Sequence, residues 1–186
     1  MTLKYEITDI KHPFKDLVRI RASRDIPKFG VKAGDLGGYI SHAWNLSQLG
    51  ECWVGDDALV YDDAWVNCDA WVSGDAQVYG NSQINGYSKI CGCAHIYGNA
   101  QTNDYSQVTE HARVHGHAWI SKNVIINGGM EISGDKYLCI SSSTQIYYAD
   151  GVTGYFDFTE PPNLIINGCD ESDKEHYKTL AILTLS

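Results

Sequence analysis

Apolar side chains return at every sixth residue through the middle of the chain. Between residues 54 and 132, thirteen of the fourteen positions spaced six apart are Val or Ile, and Thr102 is the exception. A second series lies two places before the first and is mostly Ala or Ser between residues 52 and 130. Residues two apart on a strand face the same side. Each hexad therefore predicts a very short strand that points one small and one branched side chain inward.

The hexads are separated by residues that tolerate tight backbone turns. Asp, Asn or a charged residue fills many of the turns, and the others hold Gly at positions 74, 80, 86, 92, 98, 116, 128 and 134. These residue types adopt turn conformations readily. Strands and turns that alternate at a fixed interval indicate a solenoid. Three hexads in a triangular coil make 18 residues per rung, with rungs stacked about 4.8 Å apart, so the sequence predicts an all-β fold.

The repeat resembles the hexapeptide-repeat family of left-handed parallel β-helices. In that family an aliphatic residue is followed four places later by a small one, as in Val54 to Ala58 and Val72 to Ala76. The resemblance covers residues 52–135 and implies a left-handed triangular β-helix. The position of Gly departs from the family pattern, because here it lies two places after the aliphatic residue and not directly after it. The segments RIRA, GDLGGYI and NLSQLG also resemble the opening of a group of phage, prophage and bacterial β-helix proteins without an assigned activity.

The regular hexads do not reach either end of the chain. We predict an N-terminal β-hairpin cap at 1–39, the β-helix at 40–135 and a C-terminal cap at 136–186. The first cap reads as the strand LKYEITD, a turn at His12-Pro13 and the strand LVRIRAS. The last cap reads as short strands followed by a short helix in DESDKEHYKTLAIL, with Asp170 or Ser172 as the N-cap.

A period of eighteen residues places side chains in columns along the rod. Tyr61, Tyr79 and Tyr97 form one column that His115 extends, and His117 lies in the column beside it. Such columns stabilise a solenoid by stacking like side chains, and they also offer a contact surface rich in Tyr and Trp. Asn67, Asn85 and Asn103 predict a ladder of amide hydrogen bonds. The predicted binding residues are Tyr61, Tyr79, Tyr97, His115, His117, Trp53, Trp71, Trp65 and Trp119.

Histidines and one cysteine suggest chemistry, although as surface residues they also have a purely structural interpretation. His111 and His117 are six apart and so occupy different corners of the triangle. His115 and His117 share one corner, but two nitrogen ligands alone make a poor zinc site. We therefore expect neither a metal nor a bound cofactor. Cys93 and His111 are eighteen apart, and a thiol beside an imidazole could form a nucleophile pair. The candidate catalytic residues are His95, His111, His115, His117 and Cys93.

The charge of the chain is uneven. The formal net charge is −9, yet residues 1–32 hold eight Lys/Arg and four Asp/Glu, whereas residues 33–186 hold six and nineteen. A basic cap on an acidic body argues against direct binding of nucleic acid over the whole surface. The opening residues lack the apolar run of a secretory signal, and no stretch approaches the about 18 apolar residues of a membrane span. We expect a cytoplasmic protein with reduced thiols and no membrane contact.

Three functions remain open at this point. The first is a non-catalytic binding or scaffolding protein. The resemblance implies a homotrimer that holds a host protein or a small ligand at its protomer interface, as an inhibitor of a host defence protein or a sponge for a small nucleotide. The second, also implied by the resemblance, is an acyltransferase that uses acyl-CoA and a His as general base. The third is an acidic mimic of DNA that depends on Asp56, Asp57, Asp62 and Asp63.

Overall fold

The structure of the protein is a computed structural model. It describes residues 3–122 and 124–134, and the backbone of strands at 137–140, 145–146, 153–157 and 163–167. The described part is almost entirely short strands, with two 3-10 turns, η1 (Pro27–Phe29) and η2 (Ala43–Asn45), as its helical segments. The predicted all-β class is confirmed. The closing helix predicted at 170–183 lies outside the described residues.

The strands run in chain order from the N-terminal ribbon through the solenoid. The ribbon consists of β1 (Tyr5–Lys11), β2 (Val18–Ala22) and β3 (Leu36–Ile40). The later strands are β4 (Trp53–Val54), β5 (Leu59–Val60), β6 (Trp65–Val66), β7 (Trp71–Val72), β8 (Gln77–Val78), β9 (Gln83–Ile84), β10 (Lys89–Ile90), β11 (His95–Ile96), β12 (Gln101–Thr102), β13 (Gln107–Val108), β14 (Arg113–Val114), β15 (Trp119–Lys122), β16 (Ile125–Ile126), β17 (Glu131–Ile132), β18 (Tyr137–Ile140), β19 (Gln145–Ile146), β20 (Thr153–Asp157) and β21 (Asn163–Asn167).

Three parallel sheets form the faces of the solenoid, because each strand pairs with the strand three places later. The first sheet ends in β5-β8-β11-β14-β17, the second is β4-β7-β10-β13-β16-β19 and the third is β6-β9-β12-β15-β18. Paired residues are eighteen apart, as His95 and Arg113 are in the first sheet. Within the described residues the chain therefore makes a β-solenoid of about five turns with about 18 residues per turn. The predicted period is confirmed.

The two inward series of each hexad fill the centre of the solenoid. Val60, Val78 and Ile96 are fully buried in the first sheet, and so are the Ala and Ser residues two places before each branched side chain. Leu46 is also buried and bridges to Val66. Main-chain amides bond from one rung to the next, as from Gln77 N to Ala94 O at 2.9 Å. Small and branched side chains alternate here because each rung packs directly on its neighbours.

A left-handed residue at each turn explains the position of the glycines. Gly92 has a φ of +69°, and a Cβ there would lie 2.8 Å from Glu110 N on the next rung. Where an acidic residue takes this position, its carboxylate accepts a hydrogen bond from the main chain of the next turn. Asp56 has a φ of 52° and accepts a hydrogen bond from Gly74 N at 2.9 Å. The carboxylates at residues 62, 104 and 110 do the same for residues 80, 122 and 128.

The N-terminal ribbon is joined to the solenoid through β3. Strand β1 pairs antiparallel with β2, β2 pairs antiparallel with β3, and β3 pairs parallel with β5. The predicted hairpin is therefore present, with a third strand added. The ribbon covers Trp53, which is 1% exposed, and a Cβ on Gly37 would lie 2.6 Å from the Trp53 ring. The prediction of Trp53 as an outward contact residue was wrong, because the non-repeating N-terminal segment folds over it.

Candidate functional site

A row of stacked aromatic rings runs along one face of the solenoid. We call this the tyrosine face: the outward side chains of β5, β8, β11, β14 and β17 and of the residues directly after these strands. The rings of Tyr61 and Tyr79 lie 5.0 Å apart at 5°, and those of Tyr79 and Tyr97 lie 5.0 Å apart at 2°. His115 continues the row at 4.5 Å and 7° from Tyr97. The predicted column is confirmed, and its spacing follows the rungs.

The tyrosine hydroxyls remain protonated donors at neutral pH. Burial is the main cause that raises the pKa of Tyr61, Tyr79 and Tyr97 above the ordinary value of 10.0. The negative charge of Asp62 adds to this effect at Tyr61, and that of Glu131 adds to it at Tyr97. A neutral hydroxyl both donates and accepts hydrogen bonds, so the row presents three such groups at the spacing of the rungs.

The strand positions beside the row carry polar and charged groups. His95 lies on β11 with its ring 6.4 Å from Tyr79 in an edge-to-face arrangement, and Arg113 pairs with it on the next strand. Burial lowers the pKa of His95, and the positive charges of Arg113 and Lys15 lower it further. His95 is therefore neutral at pH 7. Among the strand positions of the tyrosine face, the positive charge is carried by Arg113, which is exposed.

Lys15 closes the lower end of the row and was missed by the sequence reasoning. Its Nζ lies 4.0 Å from the centre of the Tyr61 ring and donates hydrogen bonds of 3.0 Å to Tyr61 Oη and to Gln77 Oε1. The residue comes from the turn between β1 and β2, which lies outside the repeat. No period links it to the tyrosines, so only the folded chain shows the contact. Lys15 and Tyr61 also line a cleft of about 360 Å³ beside Ser41 and His42.

His115 has a carboxylate partner at the upper end of the row. Its Nε2 lies 2.6 Å from Glu131 Oε1 on β17. A carboxylate bonded to one ring nitrogen orients an imidazole, which is how a general base is held in many enzymes. Glu131 was not predicted as this partner. The available signal was its spacing of eighteen residues from Arg113, which places it in the column of strand positions beside the row of rings.

The other candidate catalytic residues are not brought into one site. His111 and His117 are exposed on different corners, as predicted. The register sets Cys93 next to His111 on neighbouring rungs, yet in the described part of the chain no hydrogen bond joins the thiol to the imidazole. Among the described residues, no group of three or more His, Cys, Asp or Glu side chains could hold a metal ion.

The remaining predicted tryptophans lie on two different faces. Trp65 and Trp119 lie on the third sheet, with Gln83 and Gln101 between them in register. Trp71 lies on the second sheet, where the centre of its ring lies 4.3 Å from that of Phe29 in η1. The tryptophans and the tyrosine row therefore do not form one continuous surface.

A second aromatic cluster surrounds Trp71, and the sequence reasoning did not find it. Tyr87 and Tyr105 stack at 4.8 Å and 6°, and their spacing of eighteen residues was the available signal. Lys28 places its Nζ 3.9 Å from the centre of the Tyr87 ring and 3.2 Å from Asp69 Oδ2. A cleft of about 310 Å³ lies among these side chains. The chain's own lysine thus occupies the position where this cluster would receive a cation.

Several acidic turn residues have partners within the chain. Asp56 and Asp62 accept hydrogen bonds from main-chain amides of the next rung. Asp57 Oδ1 lies 3.4 Å from a guanidinium nitrogen of Arg19. These contacts give three of the four carboxylates considered for mimicry of DNA a structural role. The expected amide ladder is not seen, since Asn103 Nδ2 is buried without a hydrogen-bond partner in the described structure.

Comparisons with known proteins add no relative to this picture. No family model matches the chain, and no curated protein matches it. The described residues contain no helix of the length and apolar character needed to cross a membrane.

Proposed function

We propose that the protein is a non-catalytic binding protein whose tyrosine face contacts an anionic partner. The observation that carries the proposal is the stacked row of Tyr61, Tyr79, Tyr97 and His115, flanked by the cationic groups of Lys15 and Arg113. On a chain with a formal net charge of −9, Lys15 and Arg113 favour a negatively charged ligand at this face, while Glu131, in register with Arg113, carries the opposite charge at its upper end.

Rigidity supports binding at this face. Each ring of the row is held between its neighbours, so little side-chain entropy remains to be lost when a partner binds. Tyrosine also offers a large amphipathic surface, which explains its frequency at binding hot spots. The guanidinium of Arg113 bonds carboxylates and phosphates in a planar, two-pronged geometry. A partner that carries such a group would therefore gain both hydrogen bonds and charge complementarity.

The resemblance suggests two concrete partners. One is a host defence protein that this chain would inhibit, and the other is a small nucleotide that it would sequester. A nucleotide would place its phosphate near Arg113 and its polar ring atoms near the tyrosine hydroxyls. The cytoplasmic location, the phage origin and the homotrimer remain predictions from the same resemblance, and light scattering at several protein concentrations tests the homotrimer.

Matched substitutions test the proposal. We would immobilise the wild-type protein and the Arg113→Gln, Tyr97→Phe and Lys89→Gln variants and expose each to bacterial host lysate and to a panel of mono- and cyclic nucleotides. Lys89→Gln is the control, because Lys89 is also exposed at a strand position but lies on the second sheet. We expect Arg113→Gln to weaken binding about tenfold and Lys89→Gln to leave it unchanged. Equal binding by both variants, or no captured protein or nucleotide at all, would contradict the proposal.

An acyltransferase is the second candidate function, because His115 is oriented by Glu131 at 2.6 Å. A general base needs a neutral imidazole within reach of the proton that it removes. Incubation with acetyl-CoA and a range of amines and alcohols tests this function. The expected result for an enzyme is release of free CoA that His115→Ala abolishes and that Glu131→Gln reduces. Absence of both turnover and acetyl-CoA binding would eliminate it.

A further inference from the structure

The cleft beside Trp71 has the composition of a site for a positively charged ligand. It is lined by three aromatic rings, those of Phe29, Trp71 and Tyr87, and by the Asp69 carboxylate. Aromatic faces attract cations electrostatically, and a carboxylate supplies the opposite charge. We call this space of about 310 Å³ the cation cleft. It lies on the second sheet, so it is separate from the tyrosine face.

The chain itself marks the point in the cleft where a cation binds. Lys28 Nζ lies 3.9 Å from the centre of the Tyr87 ring and 5.5 Å from that of the Phe29 ring. Both distances fall within the about 6 Å over which a cation and an aromatic face attract each other. The same nitrogen lies 3.2 Å from Asp69 Oδ2. Two rings and a carboxylate therefore converge on one point, and an ammonium group occupies it.

The register of the second sheet explains why there is room at this point. Asp69, Tyr87 and Tyr105 follow one another on successive rungs, in step with the paired strands β7, β10 and β13. Tyr105 stacks on one face of the Tyr87 ring at 4.8 Å and 6°, so Lys28 lies over the other face, toward the rung of Asp69. A third ring in this column would fill the space. The short side chain of Asp69 leaves it open and adds a negative charge.

The carboxylate stays ionised when the lysine leaves. Asp69 Oδ1 accepts a hydrogen bond of 2.9 Å from Glu51 N, and this bond is the main cause that lowers the pKa of Asp69. Lys28 lowers that pKa by a smaller amount. The Lys28 side chain is 29% exposed, and its 3-10 turn η1 contains no buried residue. The ammonium group can therefore swing into solvent without opening the core.

We propose that the cation cleft binds a trimethylammonium group in the place of the Lys28 ammonium, with Lys28 acting as a tethered competitor. A primary ammonium is strongly hydrated, whereas a trimethylammonium group carries its charge on methyl groups that pack against aromatic rings. Choline and the side chain of trimethylated lysine both present this group. A tethered competitor reduces the apparent affinity to the fraction of molecules in which the cleft is open.

Lys89 is the second ammonium group at the cleft. It is exposed at its strand position on β10, so its charge is hydrated and is screened by salt. Without Lys28, the charges of Asp69 and Lys89 at the cleft are opposite and equal. The affinity for a cation then depends on the rings and on the carboxylate that faces them.

Removal of the competitor tests the proposal. We would titrate the wild-type protein and the Lys28→Ser variant with choline, with trimethyl-lysine, and with the neutral alcohol in which carbon replaces the choline nitrogen, and follow binding by NMR. We expect Lys28→Ser to bind at least one of the two cations about tenfold more tightly than the wild type does. The alcohol has the shape of choline without its charge and should bind much more weakly to both proteins. The preferred cation identifies the source of the trimethylammonium group.

Matched variants assign the binding to the cleft. Tyr87→Leu and Asp69→Asn, each combined with Lys28→Ser, should weaken binding of the cation at least about fivefold, because one removes a ring and the other a charge. Lys32→Ser is the control. It makes the same change at another lysine of the N-terminal segment, whose Nζ lies 3.2 Å from Asp25 Oδ2, and it should leave the affinity of the wild type unchanged.

Urea unfolding identifies any variant that no longer folds, and Lys28→Gln removes the charge with a smaller change of shape if Lys28→Ser does not fold. The proposal is overturned if the folded variant binds neither cation, or binds them no more tightly than the wild type does. Equal affinity for the neutral alcohol, or binding that survives Tyr87→Leu, would overturn it as well. The proposed anionic partner lies on another sheet, so none of these outcomes decides whether that proposal holds.

Discussion

Lys4 and Cys52 form a buried hydrogen bond where the N-terminal strand meets the first turn of the solenoid. Lys4 Nζ donates to Cys52 Sγ at 3.0 Å, and the two residues are 1% and 0% exposed. Burial lowers the pKa of Lys4 and raises the pKa of Cys52. The only other acceptor recorded for this Nζ in the described structure is Leu49 O, at 3.4 Å. The thiol is therefore the main partner of a lysine that has no access to water.

We predict that Cys52→Ala destabilises the protein by about 1–3 kcal/mol, because it leaves the Lys4 nitrogen without its main partner. Alanine itself fits the site, since Ala70 occupies the same inward column on the next rung. Lys4→Met should be milder, because it removes the polar group and keeps the length of the side chain. Urea unfolding of both variants and of the double variant measures the coupling. Additive losses in this cycle would show that the pair does not interact.

The turns predict a clear difference between two glycines with the same backbone conformation. Gly92 and Gly30 both have a φ of +69°, but a Cβ at Gly92 would lie 2.8 Å from Glu110 N, whereas nothing lies within 4 Å of a Cβ at Gly30. Both alanine variants bear the strain of the left-handed region, about 1–2 kcal/mol. We expect Gly92→Ala to lose about 1–3 kcal/mol more than Gly30→Ala, because a rung must shift. Equal free energies of unfolding for the two variants would contradict the close stacking of turns.

The tyrosine face predicts an unusual titration of His95. Burial, Arg113 and Lys15 together lower its pKa below the ordinary value of 6.5. Between the lowered pKa and 6.5 the unfolded chain binds more protons at this residue than the folded chain does. The stability contributed by a neutral His95 is therefore complete above about pH 6.5 and is lost as the pH falls through the lowered pKa.

NMR titration of the His95 ring checks this prediction. We expect Arg113→Gln to move the pKa upward, toward 6.5 but not to it, because burial is the larger cause and remains. Lys89→Gln, on another face, should leave the His95 pKa unchanged. A wild-type pKa at or above 6.5 would show that the ring is more hydrated than the packing of β11 indicates.

Periodicity explains which parts of the site could be predicted. In a strict repeat of eighteen residues, side chains eighteen apart are neighbours on successive rungs. The stacking of Tyr61, Tyr79 and Tyr97 therefore follows from their spacing alone. The same rule applies to Tyr87 and Tyr105, which the sequence reasoning passed over. Wherever the repeat holds, the register of the parallel strands leaves no freedom to place a residue elsewhere.

The contacts that could not be predicted all involve the N-terminal segment. Lys4, Lys15 and Lys28 come from outside the repeat, and nothing in their spacing says which rung they meet. The burial of Trp53 has the same origin, because an outward position on a bare solenoid becomes a core position once a ribbon folds over it. Tertiary packing of a non-repeating segment is set by the sum of many contacts and not by a local pattern.

One exception inside the repeat gives the last prediction. Thr102 occupies a column of branched apolar residues, between Ile84 on one rung and Ile120 on the next. It is fully buried, and its Oγ1 has no hydrogen-bond partner within the described structure. Valine has nearly the same shape without the hydroxyl. We expect Thr102→Val to stabilise the protein by about 1–2 kcal/mol, because a buried hydroxyl without a partner is unfavourable.

A serine in the same core provides the control. Ser82 Oγ donates to Tyr79 O at 2.9 Å, so Ser82→Ala removes a satisfied hydroxyl and should give no gain in stability. Urea unfolding of the two variants, compared with the wild type, measures the difference. A loss of stability in Thr102→Val would mean that the hydroxyl has a partner in solution, such as a water molecule between the rungs. A gain confined to Thr102→Val would show that threonine at this position lowers the stability of the solenoid.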